Sequence, residues 1–429
     1  MKKKLLSMVL GTAMAAGLLL GGCGSTGAET KGGVAESGEN AASAEDVTIE
    51  FWTIALQPTF TDFFNGLIEQ YETENPHVTV KWSDLPQDSI HEKLVTSVAG
   101  GTSPDVVNLN THMALTLAGK GALVDLNKEA TEEQKSIYIP GLFESAQAGE
   151  SCYAFPWYAS PNIMFYNTEL FEKAGIEELP TTYEEANAVA KQMKDATGAY
   201  LYNPPQFYEL FFEEGISILN EDRSAAAFNT QETVDLVTKF QEYTKEDILP
   251  KDTWGDWDEE LKMFETGKLA IISSSGSSLS RIKDEAPDIY EKIAVGAPLR
   301  GATGLSGNPL MNVVIPEASK NHEEAIKFAA WLTNDANQLA FCKEVAIFPS
   351  TKEAAADEYF VSDVETLEGQ ARAMSVSLSE TSKDYSLGVE GQSNIQDDLK
   401  KAYEAAIKSG GDVKEALTMA EQLVNDELK

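Results

Sequence analysis

Residues 150–175 read Glu-Ser-Cys-Tyr-Ala-Phe-Pro-Trp-Tyr-Ala-Ser-Pro-Asn-Ile-Met-Phe-Tyr-Asn-Thr-Glu-Leu-Phe-Glu-Lys-Ala-Gly. Pro156 and Pro161 bracket Trp157 and Tyr158. Each proline fixes its own φ and pushes the preceding residue out of the helical region, so this backbone is expected to be extended and stiff. Residues 163–166 form an apolar run suited to a buried strand. Residues 168–174 suit a short helix closed by Gly175. One α/β pattern precedes this stretch and another follows it. The stretch is therefore expected to be a crossing between two lobes, with Trp157 and Tyr158 on the floor of a cleft. On that reading Trp157→Ala weakens ligand binding without unfolding the protein.

Upstream, residues 47–54 alternate as a strand, with Val47, Ile49 and Phe51 on one face and Trp52 near its end. Phe60, Phe63, Phe64, Leu67, Ile68 and Tyr71 follow at helical spacing until Pro76. A second strand at 77–83, a helix through Ile90, Leu94 and Val98, a third strand at 105–110 and a helix through Leu115 and Leu117 complete the unit. Such alternation implies a parallel sheet with helices on both faces, which binds ligands beyond the carboxyl ends of its strands. Those ends carry Trp52, Asp84, Asn108 and Asn110, polar or aromatic where a core favours Val or Leu. Downstream, Thr182–Glu185, Asn229–Glu232 and Asn321–Glu324 look like helix starts. Residues 268–273, 293–298 and 310–316 look like buried strands, and 395–424 like helices.

The 429 residues suffice for two domains. With 33 basic and 69 acidic side chains the net charge is −36, which argues against nucleic acid and anionic membrane surfaces as partners and is ascribed to a solvated, soluble surface. Lys2, Lys3 and Lys4, then an apolar stretch over 5–20, have the form of an export signal. Leu20-Gly21-Gly22-Cys23 resembles the bacterial lipoprotein box. Residues 1–22 are accordingly expected to be a signal peptide, with Cys23 the lipidated residue. Residues 23–46 read as a flexible tether of small and polar residues. Cys152 and Cys342 have no Cys-x-x-Cys spacing and are expected to be buried thiols.

No Gly-x-Ser-x-Gly, Walker or His-Glu-x-x-His pattern occurs, and the four histidines lack metal-ligand spacing. No catalytic residue, cofactor or metal is expected. The cluster Asp252, Asp256, Asp258, Glu259 and Glu260 is read as an acidic helix start. Loop and strand-end tryptophans say more. A sugar has an apolar face that stacks on indole or phenol and a hydroxyl rim that needs polar partners. Trp52, Trp157, Trp254 and Trp257, together with Asn108, Asn110, Ser274, Ser275 and Asn308, could supply both. The run Ser273-Ser274-Ser275-Gly276-Ser277-Ser278 offers hydroxyls and N–H groups after a strand.

In its landmarks the chain resembles the bacterial extracellular solute-binding proteins of carbohydrate ABC transporters, the maltodextrin-binding protein superfamily. These landmarks are Ile163-Met164-Phe165-Tyr166-Asn167 through Phe171 and Lys173, Ser103-Pro104-Asp105-Val106-Val107, Pro180-Thr181-Thr182-Tyr183-Glu184-Glu185, Phe264-Glu265-Thr266-Gly267-Lys268-Leu269-Ala270 and Ser319-Lys320-Asn321. The resemblance implies an α/β, type II periplasmic-binding-protein-like fold. Lobe 1 would be 46–157 plus 297–333, and lobe 2 would be 158–296 plus 334–429. It implies that Trp52, Asn110, Tyr158, Ser275 and Gly276 line the cleft. It further implies a monomer that is no enzyme, anchored by lipid to the outer face of the cytoplasmic membrane, delivering a sugar to permease subunits. Ser277-Ser278 and Gly307-Asn308-Pro309 depart from the family's tryptophan-bearing runs, which favours a small or differently shaped ligand. Two alternatives are a sugar or polyol phosphate as ligand, with Arg281 and Arg300 near enough in sequence to help, and a secreted glycosidase.

Overall fold

The computed structural model describes residues 46–148, 150–378 and 381–429; the signal-peptide, Cys23 and most of the tether expectations lie outside them. Its larger sheet has six strands in the order Phe348–Pro349, Phe155–Ala159, Leu310–Val314, Val106–Asn110, Val47–Ile54 and Val78–Leu85. The last three run parallel, as their strand–helix–strand connections require. Leu310–Val314 and Phe155–Ala159 then add antiparallel, so the sheet is mixed.

Alternation along Val47–Ile54 divides the packing. Ile49 and Phe51 face one core with Phe64, Tyr71, Phe328 and Phe341. Trp52 and Ile54 face the other with Ile90, Leu94, Val107 and Leu109. The helices Thr61–Glu74 and His322–Leu332 cover the first face, and Gln87–Ala99 and Thr111–Gly119 the second.

A smaller sheet has Ile163–Asn167 at its centre, antiparallel to Ile271–Ser274 and Ile293–Gly296 on either side. Here too the pleat sorts side chains: Met164, Tyr166 and Ile271 enter one core, while Ile163, Phe165 and Ile272 enter another. Thr168–Ala174 is helical and ends at Gly175, whose φ of 66° is the left-handed cap a glycine adopts without strain. The C-terminal helices Gln392–Tyr403 and Val413–Glu427 bury Ile395, Leu399, Leu417 and Val424 in the core that holds Met164. Among the described residues no helix is long and apolar enough to cross a membrane.

Local starts differ from expectation in detail. Thr182 caps its helix through Glu185 N at 3.1 Å, but the Glu185 carboxylate accepts from Thr181 rather than from the cap residue. Thr230, not Asn229, caps the helix Gln231–Lys245. Asn321 caps nothing with its side chain. Its amide instead donates to Asp105 Oδ1 at 3.2 Å and to the Thr48 carbonyl at 3.2 Å. The expected division after residue 333 also falls early. Asp335–Glu344 places Phe341 in the larger sheet's core, and Phe348–Pro349 is an edge strand of that sheet.

The largest departure concerns Trp157. It is 1 % exposed, stacked on Phe341 at 5.8 Å and edge-on to Phe64 at 5.7 Å. An indole enclosed in this way offers no free face to a ligand, so it is a packing residue and not a cleft floor. Removing a buried Trp costs about 3–5 kcal/mol through lost burial and the cavity left behind. Trp157→Ala is thus expected to lower the unfolding free energy by about that amount in urea titration. A change under about 0.5 kcal/mol, the size of an ordinary surface substitution, would contradict the packing assignment.

Candidate functional site

A cavity of about 460 Å³ opens beside the smaller sheet, within the range of small-molecule sites. Three elements build it. The first is the carboxyl end of Ile271–Ser274, which continues into the serine run: Ser273, Ser274, Ser275, Ser277 and Ser278 all line the cavity. Ser274 Oγ donates to Ser278 Oγ at 2.8 Å, and Ser278 Oγ donates on to the Ser275 carbonyl at 2.9 Å. This network fixes the turn with its hydroxyls inward. The second element is the helix Trp257–Glu265, whose cap Asp256 accepts from Glu259 N. Trp257 at its first turn is 39 % exposed, donates its indole N–H to Ser274 Oγ at 3.3 Å and carries the Arg281 guanidinium 5.5 Å above the ring. One indole face is covered by the cation, and the ring forms part of the cavity wall.

The third element is the short helix Phe207–Glu214, closed by Gly215 at φ 77°. Phe207, Leu210 and Phe211 anchor it in the core. Glu209 and Glu213, four residues apart and so on one helical stripe, face the cavity. Glu260 joins them from the neighbouring helix. Glu213 is 4 % exposed and accepts the Tyr183 hydroxyl at 2.6 Å, and Glu260 is 7 % exposed and accepts the Asn203 amide at 2.6 Å. Tyr202 also lines the cavity and stands beside Tyr183 with ring centroids 5.7 Å apart.

Burial pushes the Glu209 carboxyl up to about 7. It pushes Glu260 up to about 8, with the charge of Glu209 adding to the effect. Glu213 is raised well above the usual carboxylate range, by burial first and by Glu209 second. These groups bind protons more tightly folded than unfolded. The stability they allow is whole below the unfolded value near 4.5 and is lost as pH rises through 7 to 8. The unliganded protein should therefore melt at a lower temperature at pH 8.5 than at pH 5.5. Glu260→Gln should flatten that slope; a variant that keeps the full slope would remove Glu260 from its cause.

Of the residues expected from sequence, the structure gathers Trp257, Ser274 and Ser275 in this cavity. Gly276 faces an adjoining hollow with Ser160, Pro161, Ala346 and Arg372. Asn308 is fully buried next to the cavity-lining Ser306 and Gly307, and its amide donates to Ser382 Oγ at 3.0 Å. The others stand elsewhere. Trp254 is 1 % exposed, stacked on Tyr403 at 5.4 Å and bonded to the Pro250 carbonyl. It is a core residue, since its loop is drawn inward while its neighbour Gly255 lines the cavity. Trp52 is 8 % exposed within the second core of the larger sheet, with Lys93 over its ring at 4.9 Å.

Asn108 is fully buried and donates to the Asn312 carbonyl at 3.1 Å. Asn110 caps the helix Thr111–Gly119 through Met113 N at 2.8 Å and borders a separate hollow with Asp384 and Tyr385. Tyr158 is half-buried and packs edge-on to Phe341 at 5.5 Å. Glu209, Glu213, Tyr183, Tyr202 and Asn203 are not among the site residues expected from sequence, and Glu260 reads there as part of an acidic helix start. One signal was present: carboxylates at i and i+4 inside the otherwise aromatic run Phe-Tyr-Glu-Leu-Phe-Phe-Glu.

Cys152 and Cys342 are buried free thiols; burial raises Cys152 to about 11 and Cys342 further.

A candidate oligosaccharide periplasmic-binding protein of known structure from Synechococcus sp. MITs9220 superposes with a TM-score of 0.78. It is 28 % identical, over 89 % of this chain and 98 % of that one. A candidate binding protein of Brucella abortus is 25 % identical over 314 residues, covering 71 % of this chain and 76 % of its own length. A lipoprotein of Streptomyces antibioticus is 24 % identical over 360 residues, 79 % of this chain and 75 % of that protein. The family model described as bacterial extracellular solute-binding protein matches residues 66–368, and with most of the chain so covered the protein belongs to that family.

Proposed function

We propose that this protein is the substrate-binding component of an ABC importer, capturing a carbohydrate in the cavity beside the smaller sheet and delivering it to a membrane permease. The observation that carries this reading is the lining itself. Trp257 supplies exposed aromatic surface, while the serine run, Asn203 and the three carboxyl groups supply hydrogen-bonding partners. That division matches the two surfaces of a sugar ring. The Synechococcus relative, described as an oligosaccharide-binding candidate, supports it. Binding energy in such a protein shifts an open–closed population, and the permease reads the closed form.

The same three carboxyls are the one feature that fits a glycosidase. A retaining or inverting hydrolase needs one ionised carboxylate beside a protonated one. Here burial moves all three in the same direction, which leaves none clearly held as the anion. A phosphate-bearing ligand fits less well, because Arg281, the one base among the lining residues, is already engaged by Glu285 and Asp258.

A thermal-shift panel of mono- to oligosaccharides and sugar phosphates tests the reading. A sugar at about 100 times its Kd adds roughly 2.7 kcal/mol of stability and should be recovered unchanged. A sugar consumed by pure protein would replace transport with hydrolysis, and silence across the sugars would overturn the carbohydrate assignment.

For the anchor, the lipoprotein-box resemblance at Leu20–Cys23 and the Streptomyces lipoprotein relative support attachment through Cys23. Several acyl chains on one residue hold a protein to a membrane where a single chain does not. Cys23→Ala should move the protein from the membrane fraction to the soluble or secreted fraction of the producing cells. Unchanged membrane association would refute the anchor.

A further inference from the structure

The three carboxyl groups of the cavity differ in what they hold. Glu213 and Glu260 accept from Tyr183 and Asn203. Among the described residues none donates a side-chain hydrogen bond to Glu209, which is half-buried and lines the cavity. Gly307 stands against it: a Cβ there would meet the Tyr385 ring first and would lie 3.1 Å from Glu209 Oε1, so the glycine leaves room for both the ring and the carboxylate. Immediately before it, Ser306 is 2 % exposed and lines the same cavity, and its Oγ has no hydrogen-bond partner. The wall thus presents a carboxylate without a cation, set against Gly307, and on the residue before that glycine a buried hydroxyl without a partner. Most buried polar groups in native proteins are satisfied, so an unmet one on a residue that lines a cavity is a place for a ligand's polar group.

Among the residues lining the cavity Arg281 is the one base. It is engaged outward, with Glu285 at 3.0 Å and Asp258 at 3.5 Å. Glu213 and Glu260, the other carboxyl groups of the lining, supply no counter-charge. A bare metal ion is a poor candidate for the missing cation, since the described residues hold no group of three or more His, Cys, Asp or Glu placed to ligate one. A cavity of about 460 Å³ calls for a larger ligand carrying its own cation.

Resting on the carbohydrate reading above, we propose that the ligand bears a free amine next to a hydroxyl, as an amino sugar or amino alditol does. Its ammonium pairs with Glu209, and the adjacent hydroxyl bonds Ser306 Oγ. A charge-assisted pair is stronger than the neutral hydrogen bond a plain sugar hydroxyl would make to the same carboxyl. It also allows Glu209 to ionise without leaving an uncompensated charge in the cavity. An N-acetylated amine loses the charge and brings bulk toward Gly307, so it is the natural discriminating probe.

The test is calorimetric titration at pH 7 with matched gluco- and galacto-saccharides, mono- to trisaccharide, each in hydroxy, free-amino and N-acetyl form. The free-amino member should bind at least tenfold more tightly than its hydroxy and N-acetyl counterparts. Glu209→Gln should bring that preference to within about twofold, while Glu209→Asp, which keeps the charge, should retain part of it. Ser306→Ala should weaken the free-amino member severalfold. Circular dichroism confirms that each variant is folded.

A hydroxy or N-acetyl member binding as tightly as its amine would overturn this proposal and leave the carbohydrate reading standing. So would a preference that survives Glu209→Gln in a folded variant. No binding by any member would overturn both.

Discussion

The chain passes from the larger sheet to the smaller one through three residues, Ser160 to Asn162, between Phe155–Ala159 and Ile163–Asn167. This short link constrains everything around it, because strands in two sheets must be placed with little slack between them. Pro156 has no N–H to give to the ladder. The register with Leu310–Val314 breaks at Met311/Asn312, opposite Tyr158 and Pro156. The Pro156 carbonyl is instead held by Ser350 Oγ at 2.6 Å, and Gln338 clasps Ser350 through its N at 2.7 Å. A strand that cannot complete its own ladder is thereby pinned by side chains from the residue just after the sheet's edge strand and from the helix before that strand. Trp157 and Phe341 seal the same junction from the core. Held in this way on the larger-sheet side, the chain enters the smaller sheet within three residues.

Beyond that link the cavity owes its character to how little charge compensation the smaller sheet provides. Phe207–Glu214 is held by its aromatic side, which turns Glu209 and Glu213 toward the space beneath the serine run. Glu260 arrives from a helix start whose other acids, Asp258 and Glu259, remain at the surface. Each carboxyl gives up solvation, and only Glu213 and Glu260 recover a hydrogen bond from a neighbouring side chain. Their raised proton affinities follow from desolvation and mutual repulsion. An arrangement that leaves unmet polar groups around a cavity adds nothing to the stability of the empty protein. It becomes favourable when a ligand supplies what is missing, which is how a binding protein couples occupancy to conformation.

Much of the fold was legible in order along the chain. Apolar alternation at 47–54 and helical spacing from Phe60 to Tyr71 are local, and each became the element its period required. Gly175 closed its helix, and Thr182 capped the next. The tryptophans show where such reading ends. Trp254 and Trp257 sit in polar, turn-rich surroundings and Trp157 between two prolines, yet of the three only Trp257 reaches the cavity wall. Trp157 is enclosed by Phe64 and Phe341, the latter far away in sequence, and Trp254 by Phe240 and Tyr403. An indole is equally at home stacking on a ligand or on a core ring, so local sequence does not separate the two.

The sequence by itself determined the strand and helix succession, because periodicity, prolines and caps act within a few residues of themselves, and its landmark runs carried the resemblance to the family. Tertiary structure alone decided which polar and aromatic side chains meet. Glu209, Glu260, Ser306 and Gly307 lie far apart along the chain or in separate elements, and their shared wall exists only once both flanking helices dock on the smaller sheet. Desolvation is likewise a property of that packing: the same glutamate is an ordinary solvated acid on an open helix and a proton-retaining group against a cavity.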